Sequence, residues 1–353
     1  MVAKHSLLDA LVGAGFEPSK YPQLLAAEQR SERAIAQART YLREQFPDGT
    51  NSIDMIAFGS LARRELTAES DFDYLVATYD ISTPPEVAEK MLLAADPLRE
   101  LLGSVERAVG ARALRGPGAT GMFGRVIAIP SLVSHIGLQQ DDNHNHTRRM
   151  LLLEESVSLF RPDLHDKLIR LTLNRYLADR VVGADSVPRF LLNDILRYWR
   201  TLAVDYQAKV GGASMYSLRY LKLIITRKLV FASSVVPLFL CRDVQHDNVE
   251  DFLFDEFAKP PLARLLSLMP MIEGDLAAVE GLRNCLDTAE RFIEMLASHD
   301  WRAQVAEAAR RNDTLALVSY RDARLAGKAM QRSLQDVFFS SAIRPFTEKY
   351  LVF

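Results

Sequence analysis

Cysteine is scarce in this chain of 353 residues, which contains only Cys241 and Cys285. Two cysteines allow at most one disulfide, so the disulfide frameworks that hold many small secreted domains together are excluded. The pattern predicts two reduced, partly buried thiols in a cytoplasmic protein.

Uninterrupted apolar runs are also short. The longest, near residues 230–241, is broken by Ser233, Ser234 and Pro237, whereas a bilayer-spanning helix needs about 20 apolar residues. The N-terminal apolar stretch is broken by Asp9 and lacks the h-region and cleavage site of a signal peptide. We therefore expect neither a membrane span nor a signal peptide.

An excess of positive charge is missing as well. The formal net charge is −2, so there is no global field that would capture long nucleic acids, although a local basic groove remains compatible with this total. The hydrophobic fraction of 48% is that of a soluble globular protein. A chain of this length predicts two packed domains.

The distribution of turn residues and apolar periodicity predicts an α+β fold, with a small mixed sheet followed by a helical bundle. We expect N-terminal helices over residues 1–50 that pack on an α/β domain at 51–160, and a helical domain at 161–353. The predicted strands are Ile53–Phe58, Asp71–Thr78, a core strand at Arg125–Ile129, one near 157–160 and a further candidate at 103–109.

Residues 58–73 contain the groups that we expect to carry chemistry. Gly59 and Ser60 follow the first predicted strand, where a glycine lets the backbone approach a ligand closely. Free N–H groups at such a turn bind phosphate oxygens, and the Ser60 hydroxyl adds a donor. Arg63 lies about one turn further along and is expected to reach the same anion.

Asp71 and Asp73 are two residues apart in a predicted strand, so their carboxylates point to one face while Phe72 and Tyr74 point to the other. Two negative charges this close repel each other unless a cation lies between them. Mg²⁺, or alternatively Mn²⁺, suits such oxygen ligands. A pair of these ions would stabilise the attacking and leaving oxygens of an in-line displacement.

These residues form the run Gly59-Ser60-Leu61-Ala62-Arg63-Arg64-Glu65, which is followed by Ser70-Asp71-Phe72-Asp73. The run resembles the signature of the polymerase-β-type nucleotidyltransferase superfamily, in the form seen in adenylyl- and uridylyltransferases and minimal nucleotidyltransferases. The match is confined to residues 58–74. The resemblance implies that Gly59 and Ser60 hold a nucleoside triphosphate, that Arg63 assists them, and that Asp71 and Asp73 hold Mg²⁺.

A third carboxylate on a later strand is usual in that superfamily, where it helps to hold the metal and can take the proton of the attacking hydroxyl. The strand expected at Arg125–Ile129 contains no acid. We predict that Asp142 takes this catalytic place. Asp141 and Glu106 stay open as alternatives, as does the absence of any third carboxylate.

Basic residues lie at helical spacing in the second half of the chain. In the enzymes that the motif resembles, a helical domain closes one side of the cleft and supplies a cation to the triphosphate. Arg219 and Lys222 are the residues expected to do so here. A solvated helix face with neighbours three residues apart is the alternative. The segments 191–210 and 217–233 are also similar to a group of uncharacterised bacterial nucleotidyltransferase-domain proteins.

Three other patterns have ordinary interpretations. The stretch Gly116–Gly124 lacks the Gly-Lys-Ser/Thr ending of a Walker loop and predicts a loop at the rim of the site. His144 and His146 lie in one polar turn, which favours a helix N-cap over a zinc site. Three aromatic residues at helical spacing are expected in the core rather than stacked on a base: Tyr198, Trp199 and Tyr206.

The sequence therefore predicts a magnesium-dependent enzyme that moves a nucleotide from a nucleoside triphosphate to an unidentified acceptor, which can be a protein, an RNA end or a small molecule. Two alternatives stay open. One is the synthesis of a short signalling nucleotide. The other is a catalytically weak nucleotide- or partner-binding module of a toxin–antitoxin or defence system. Neither the oligomeric state nor the preferred base follows from the sequence.

Overall fold

The computed structural model describes residues 6–47, 52–80, 83–104, 113–117, 122–178, 187–208, 213–245 and 248–352. Contacts between residues divide the chain into two compact units. The α/β unit comprises Ala26–Asp179, and the helical unit comprises Arg180–Phe353 together with Met1–Leu25.

Helices and strands are numbered in chain order. The strands are β1 (Ile53–Phe58), β2 (Tyr74–Thr78), β3 (Arg125–Ala128) and β4 (Ser156–Ser158). The first seven helices are α1 (Leu7–Gly13), α2 (Pro22–Gln45), α3 (Pro85–Leu93), α4 (Ala95–Gly103), α5 (Ile129–Val133), α6 (Asn143–Glu154) and α7 (Pro162–Leu177). The next five are α8 (Arg189–Ala208), α9 (Ala213–Lys222), α10 (Lys228–Leu240), α11 (Val249–Ala258) and α12 (Pro261–Leu266). The last five are α13 (Met269–Ile272), α14 (Leu276–Ala297), α15 (His299–Arg310), α16 (Val318–Phe338) and α17 (Arg344–Thr347).

The sheet of the α/β unit is small and mixed, with the strand order β3-β2-β1-β4. β1 is antiparallel to both β2 and β4, whereas β2 and β3 are parallel. A mixed sheet among many helices confirms the predicted α+β class at this level.

The two faces of the sheet bury different side chains. Alternate residues of the strands, among them Met55, Ala57 and Val76, belong to one apolar cluster that also includes residues of α2, α3 and α4. Ile56 and Leu75 are buried too but lie outside that cluster, as the strand alternation requires. Because α6 and α7 contact β4, and α7 also contacts β1, helices pack against both faces of the sheet.

The strand predicted at Arg125–Ile129 exists as β3, but the expectation of a core strand is wrong. Three of its four residues are exposed, including Val126 at 37%. Among the described residues, β3 pairs with β2 alone and therefore forms an edge of the sheet. The further strand proposed at 103–109 does not begin where expected, because Gly103 ends α4; residues 105–109 lie outside the described part of the chain.

The structure divides the chain at other points than the sequence predicts. α7 contacts β1 and β4 and belongs to the α/β unit, so this unit extends to Asp179 rather than ending at residue 160. α1 contacts α12 and belongs to the helical unit instead of packing on the sheet.

The helical unit contains a long helix in which α9 continues through the π-helical turn Leu223–Arg227 into α10. The stretch Ser217–Asp243 is long and apolar enough to cross a membrane, with a mean hydropathy of 1.8, although the sequence was expected to hold no such segment. Two thirds of its most apolar window is buried inside the structure, so this length and composition also fit the core helix of a soluble protein. Cys241 and Cys285 are both buried and are not joined by a disulfide.

Candidate functional site

A single tight turn follows β1 and presents the Gly-Ser pair. Gly59 has a φ of +68°, which is the left-handed region that glycine adopts without strain. The Arg63 N–H donates to the Gly59 carbonyl at 2.9 Å, and the Glu65 N–H donates to the Ser60 carbonyl at 2.8 Å. The chain thereby reverses within one turn instead of starting a helix.

The two aspartates lie in the extended segment that leads into β2. The rings of Phe72 and Tyr74 are stacked, with centroids 5.1 Å apart, and both side chains are buried in the apolar cluster. Alternation along an extended chain therefore directs Asp71 and Asp73 to the opposite face, where both are half-buried. β2 itself begins three residues later than predicted, at Tyr74.

The turn and the aspartates meet. The Phe58 N–H donates to the Asp73 carbonyl at 2.9 Å, which joins the end of β1 to the aspartate segment. A Cβ built on Gly59 would lie 3.4 Å from Asp73 Oδ2 and 4.0 Å from Arg63 Nη1. The structure thus brings Gly59, Arg63 and Asp73 together.

Two polar groups of the predicted site are left available. The Ser60 hydroxyl and the Asp71 carboxylate make no hydrogen bond or ion pair within the described part of the chain, and both residues are half-buried. Groups of this kind at the end of a strand are suited to a ligand from solution.

Arg63 is held by two acids, which the sequence analysis did not foresee. Its guanidinium forms ion pairs with Glu65 at 2.7 Å and with Glu155, and only 9% of its side chain is exposed. The Glu155 side chain is fully buried. β4 begins at the next residue and pairs Ser156 with Phe58, so the register brings Glu155 beside the turn. The expected anion contact of Arg63 stays a prediction, and its charge is already shared with two carboxylates.

The segment after the turn is fixed to α2. The Ser31 hydroxyl accepts a hydrogen bond from the Leu66 N–H at 3.1 Å, and Arg30 donates to the Leu66 carbonyl at 2.7 Å. Arg64, the additional basic residue beside Arg63, pairs with Glu32 of the same helix. These contacts position the Gly59 turn on the rigid core of the unit.

Asp142 has a structural task. Its carboxylate accepts a hydrogen bond from the Asn145 N–H at 2.7 Å and caps the N-terminus of α6. The described residues contain no group of three His, Cys, Asp or Glu side chains placed to share a metal ion. Asp142 therefore does not form a three-residue metal site with Asp71 and Asp73. His144 is likewise not part of such a site among the described residues.

The alternatives to Asp142 are also accounted for where the structure describes them. Asp141 forms a two-point ion pair with the buried guanidinium of Arg149, with both N–O distances at 2.6 Å. Burial raises the pKa of Asp141, but the hydrogen bonds and charge of Arg149, together with the hydrogen bond from the Gly137 N–H and the charge of His146, outweigh this effect and lower it. Glu106 lies outside the described residues.

Arg125 lies on the strand where the resemblance implies an acid. Arg125 is paired with Leu75, so its side chain projects from the same face of the sheet as Asp73. Burial and the nearby charge of Arg125 lower the pKa of Arg148, while Asp142 raises it. The Arg148 Nε is buried and has no hydrogen-bond partner among the described residues.

The residues predicted in the second half belong to the helical unit. Arg219 is exposed and Lys222 is half-buried on α9, and their expected contact with a triphosphate stays a prediction. Tyr198 is buried, which confirms its core position. Trp199 is half-buried and stacks on Phe231 with ring centroids 5.3 Å apart.

No protein-family model matches the chain, and a search of curated proteins found no match either.

Proposed function

We propose that this protein transfers a nucleotide, taking a nucleoside monophosphate from a nucleoside triphosphate and attaching it to an acceptor hydroxyl. The observation that carries the proposal is the arrangement around Gly59. A left-handed turn places the Asp73 carboxylate beside its backbone, and Asp71 projects from the same face.

The reaction balances without a redox partner. The acceptor oxygen forms a bond to the α-phosphorus while the bond from that phosphorus to the oxygen bridging the α- and β-phosphates breaks. Pyrophosphate leaves, and the acceptor proton passes to a base or to water. The backbone N–H groups of the Gly59 turn and the Ser60 hydroxyl would bind phosphate oxygens.

The donor set of the aspartate pair fits a hard divalent cation. Both carboxylates are half-buried on one face, and Asp71 makes no ion pair within the described residues. Asp71 and Asp73 are the residues that would hold Mg²⁺ or Mn²⁺. Such an ion would supply positive charge and orientation to the triphosphate.

Positive side chains of the protein complete the proposed phosphate site. Arg125 lies on the same face of the sheet as Asp73, and its charge acts on the nearby Arg148. Neither arginine forms an ion pair with a buried acid among the described residues, whereas Arg63 does. We infer that this pair attracts the triphosphate electrostatically.

One observation favours a second candidate, a module that binds nucleotides with little or no catalysis. No third carboxylate joins Asp71 and Asp73 in the portions of the chain that the structure describes. Without it, the site would hold a cation and a nucleotide but would lack a proton acceptor built into the sheet.

The test is a transfer assay with each of the four nucleoside triphosphates, labelled at the α-phosphate, in the presence of Mg²⁺ or Mn²⁺. It is run with and without cell lysate as a source of acceptors. The double variant Asp71→Asn/Asp73→Asn is compared with Asp313→Asn, which changes an exposed acid of the helical unit.

We expect label on a protein, RNA or small molecule with the wild type and the control variant, and none with the double variant. The labelled class identifies the acceptor. Metal-dependent binding of a nucleotide without transfer would instead support the binding module. Equal transfer by the double variant would contradict both the catalytic role and the nucleotide-binding role of the aspartate pair.

A further inference from the structure

A pocket of about 270 Å³ opens on the helical unit and takes no part in the proposed reaction. Its walls come from α8, α10, α16 and the C-terminal helical turns. Most of its lining is aromatic or aliphatic, including Trp199, Phe231, Leu334 and Phe339. Trp199 and Phe231 stack on each other with an interplanar angle of 18°, and both side chains line the pocket.

One cation faces this apolar space. Lys228 is the charged residue of the described pocket lining and lies at the start of α10, one turn before Phe231. Its side chain makes no hydrogen bond or ion pair within the described residues. Burial lowers the pKa of the Lys228 ammonium, and no acid of the described chain opposes that effect.

The remaining polar groups of the pocket are neutral. Gln331 and Gln335 are four residues apart on α16, which places their amides on the same side of that helix. The Thr347 hydroxyl donates to the Phe338 carbonyl at 2.6 Å and is therefore already engaged as a donor. An incoming anion would thus find one ammonium group and two amides.

We propose that this pocket binds a small anion with an aromatic or apolar body, of the arylalkanoate class. The ring would lie against Trp199 and Phe231, and the carboxylate would pair with Lys228. The arrangement follows the common design of ligand sites, in which an apolar cavity holds a few polar groups that fix orientation. A volume of 270 Å³ favours a compact molecule over a nucleotide.

The ion pair is the feature that makes the proposal specific. An unpaired ammonium in a partly desolvated position is costly, and an anionic ligand would relieve that cost with a charge-assisted hydrogen bond. A neutral molecule with the same body would gain the apolar contacts alone. The pocket should therefore distinguish a carboxylate from the matching alcohol.

The experiment titrates the full-length protein with 3-phenylpropionate and, separately, with 3-phenylpropan-1-ol. Calorimetry gives the affinities of both probes. Lys228→Met removes the charge and keeps the apolar stem. Lys328→Met is the matched control, because Lys328 is exposed on α16 outside the pocket lining.

We expect the wild type and Lys328→Met to bind the carboxylate about tenfold or more tightly than the alcohol, as the loss of a charge-assisted hydrogen bond would imply. Lys228→Met should lose this preference and still bind the alcohol. If Lys228→Met fails to fold, the wild-type comparison of the two probes decides alone. Equal affinities for the two probes, or no binding of the carboxylate at millimolar concentration, would overturn the proposal without bearing on nucleotide transfer.

Discussion

At the scale of single residues, the backbone of Gly59 governs the geometry of the proposed site. With a φ of +68°, an alanine at this position is strained by about 1–2 kcal/mol, and its Cβ would lie 3.4 Å from Asp73 Oδ2. We predict that Gly59→Ala destabilises the protein modestly and reduces nucleotide transfer strongly, because the methyl group crowds the carboxylate.

Gly274→Ala in the helical unit is the control for this variant, because a Cβ at that position meets no described atom within 4 Å and no positive φ is involved. Urea denaturation and the transfer assay measure the two effects. Unchanged transfer by Gly59→Ala would show that the turn does not position the site.

Arg63 and Arg64 are neighbours in sequence but differ in environment. Removing Arg63 leaves the fully buried carboxylate of Glu155 without its partner, which costs on the order of 3 kcal/mol. Arg64 pairs with the partly exposed Glu32, and Arg64→Ala should cost about 1 kcal/mol or less. We therefore predict that Arg63→Ala lowers the free energy of unfolding far more than Arg64→Ala does, and similar losses would argue against a buried pair.

The sequence was informative about these residues to different degrees. The spacing of Asp71 and Asp73 predicted a common face, and the stacked rings of Phe72 and Tyr74 agree with that alternation. The role of Glu155 was not predictable, because its contact with Arg63 spans 92 residues and depends on how β4 pairs with β1. Long-range pairing of this kind leaves no local pattern.

At the scale of elements, hydrogen bonds of the Asp54 side chain join β1 to β4 and to the segment between β4 and α7. One oxygen of this buried carboxylate accepts hydrogen bonds from the Ser158 hydroxyl, the Phe160 N–H and the Arg161 N–H. Burial raises the pKa of Asp54 from its ordinary value of 3.8 to about 6, although these hydrogen bonds and the nearby His165 act in the opposite direction.

The sign of the resulting pH dependence follows directly. Because the pKa of Asp54 is higher in the folded than in the unfolded protein, the stabilisation is complete when the pH is below the unfolded pKa. It is lost as the pH rises through the folded pKa of about 6. Asp54→Asn keeps the acceptor oxygen and cannot ionise. We predict that the wild type loses up to about 3 kcal/mol relative to this variant between about pH 4 and pH 8.

Urea denaturation of both proteins across this pH range measures the difference. If the two stability curves stay parallel, Asp54 does not titrate with a raised pKa in the folded protein.

α14 and α16 approach each other closely at Gly281. A Cβ there would lie 2.6 Å from the backbone carbonyl oxygen of Ser333 and 3.2 Å from Val337 Cγ2. We predict that Gly281→Ala destabilises the protein by about 1–3 kcal/mol through overpacking. Gly274→Ala, where a Cβ meets no described atom within 4 Å, should change stability by less than about 0.5 kcal/mol. Thermal unfolding that fails to separate the two variants would contradict the close helix contact.

The positions of helices and strands along the chain were more predictable than their burial and strand pairing. α14 lies in the segment 161–353 that was expected to be helical, and Asp275 accepts hydrogen bonds from the Ala277 and Ala278 N–H groups at its start, as capping chemistry predicts. β3 was found in sequence by its apolar residues but is exposed at the sheet edge, because strand order is decided by tertiary pairing. The apolar composition of a four-residue strand does not encode that order.

At the scale of the whole molecule, the division between units depends on packing that the sequence does not display. Helical periodicity begins at Pro162, and composition alone therefore suggested a boundary near residue 161. α7 nevertheless contacts β1 and β4, which extends the α/β unit to Asp179. The whole predicted site from Gly59 to Asp73 lies inside this unit, and the expected contribution of Arg219 and Lys222 remains a prediction.

The central claim is that the α/β unit transfers nucleotides with Asp71 and Asp73, and the position of a phosphate label tests it most directly. The protein, Mg²⁺ and the acceptor are incubated in parallel with one triphosphate labelled at the α-phosphate or at the γ-phosphate. We predict that the acceptor receives α-label and no γ-label, and that Asp71→Asn/Asp73→Asn transfers neither. Transfer of γ-label, or undiminished α-label with the double variant, would contradict it.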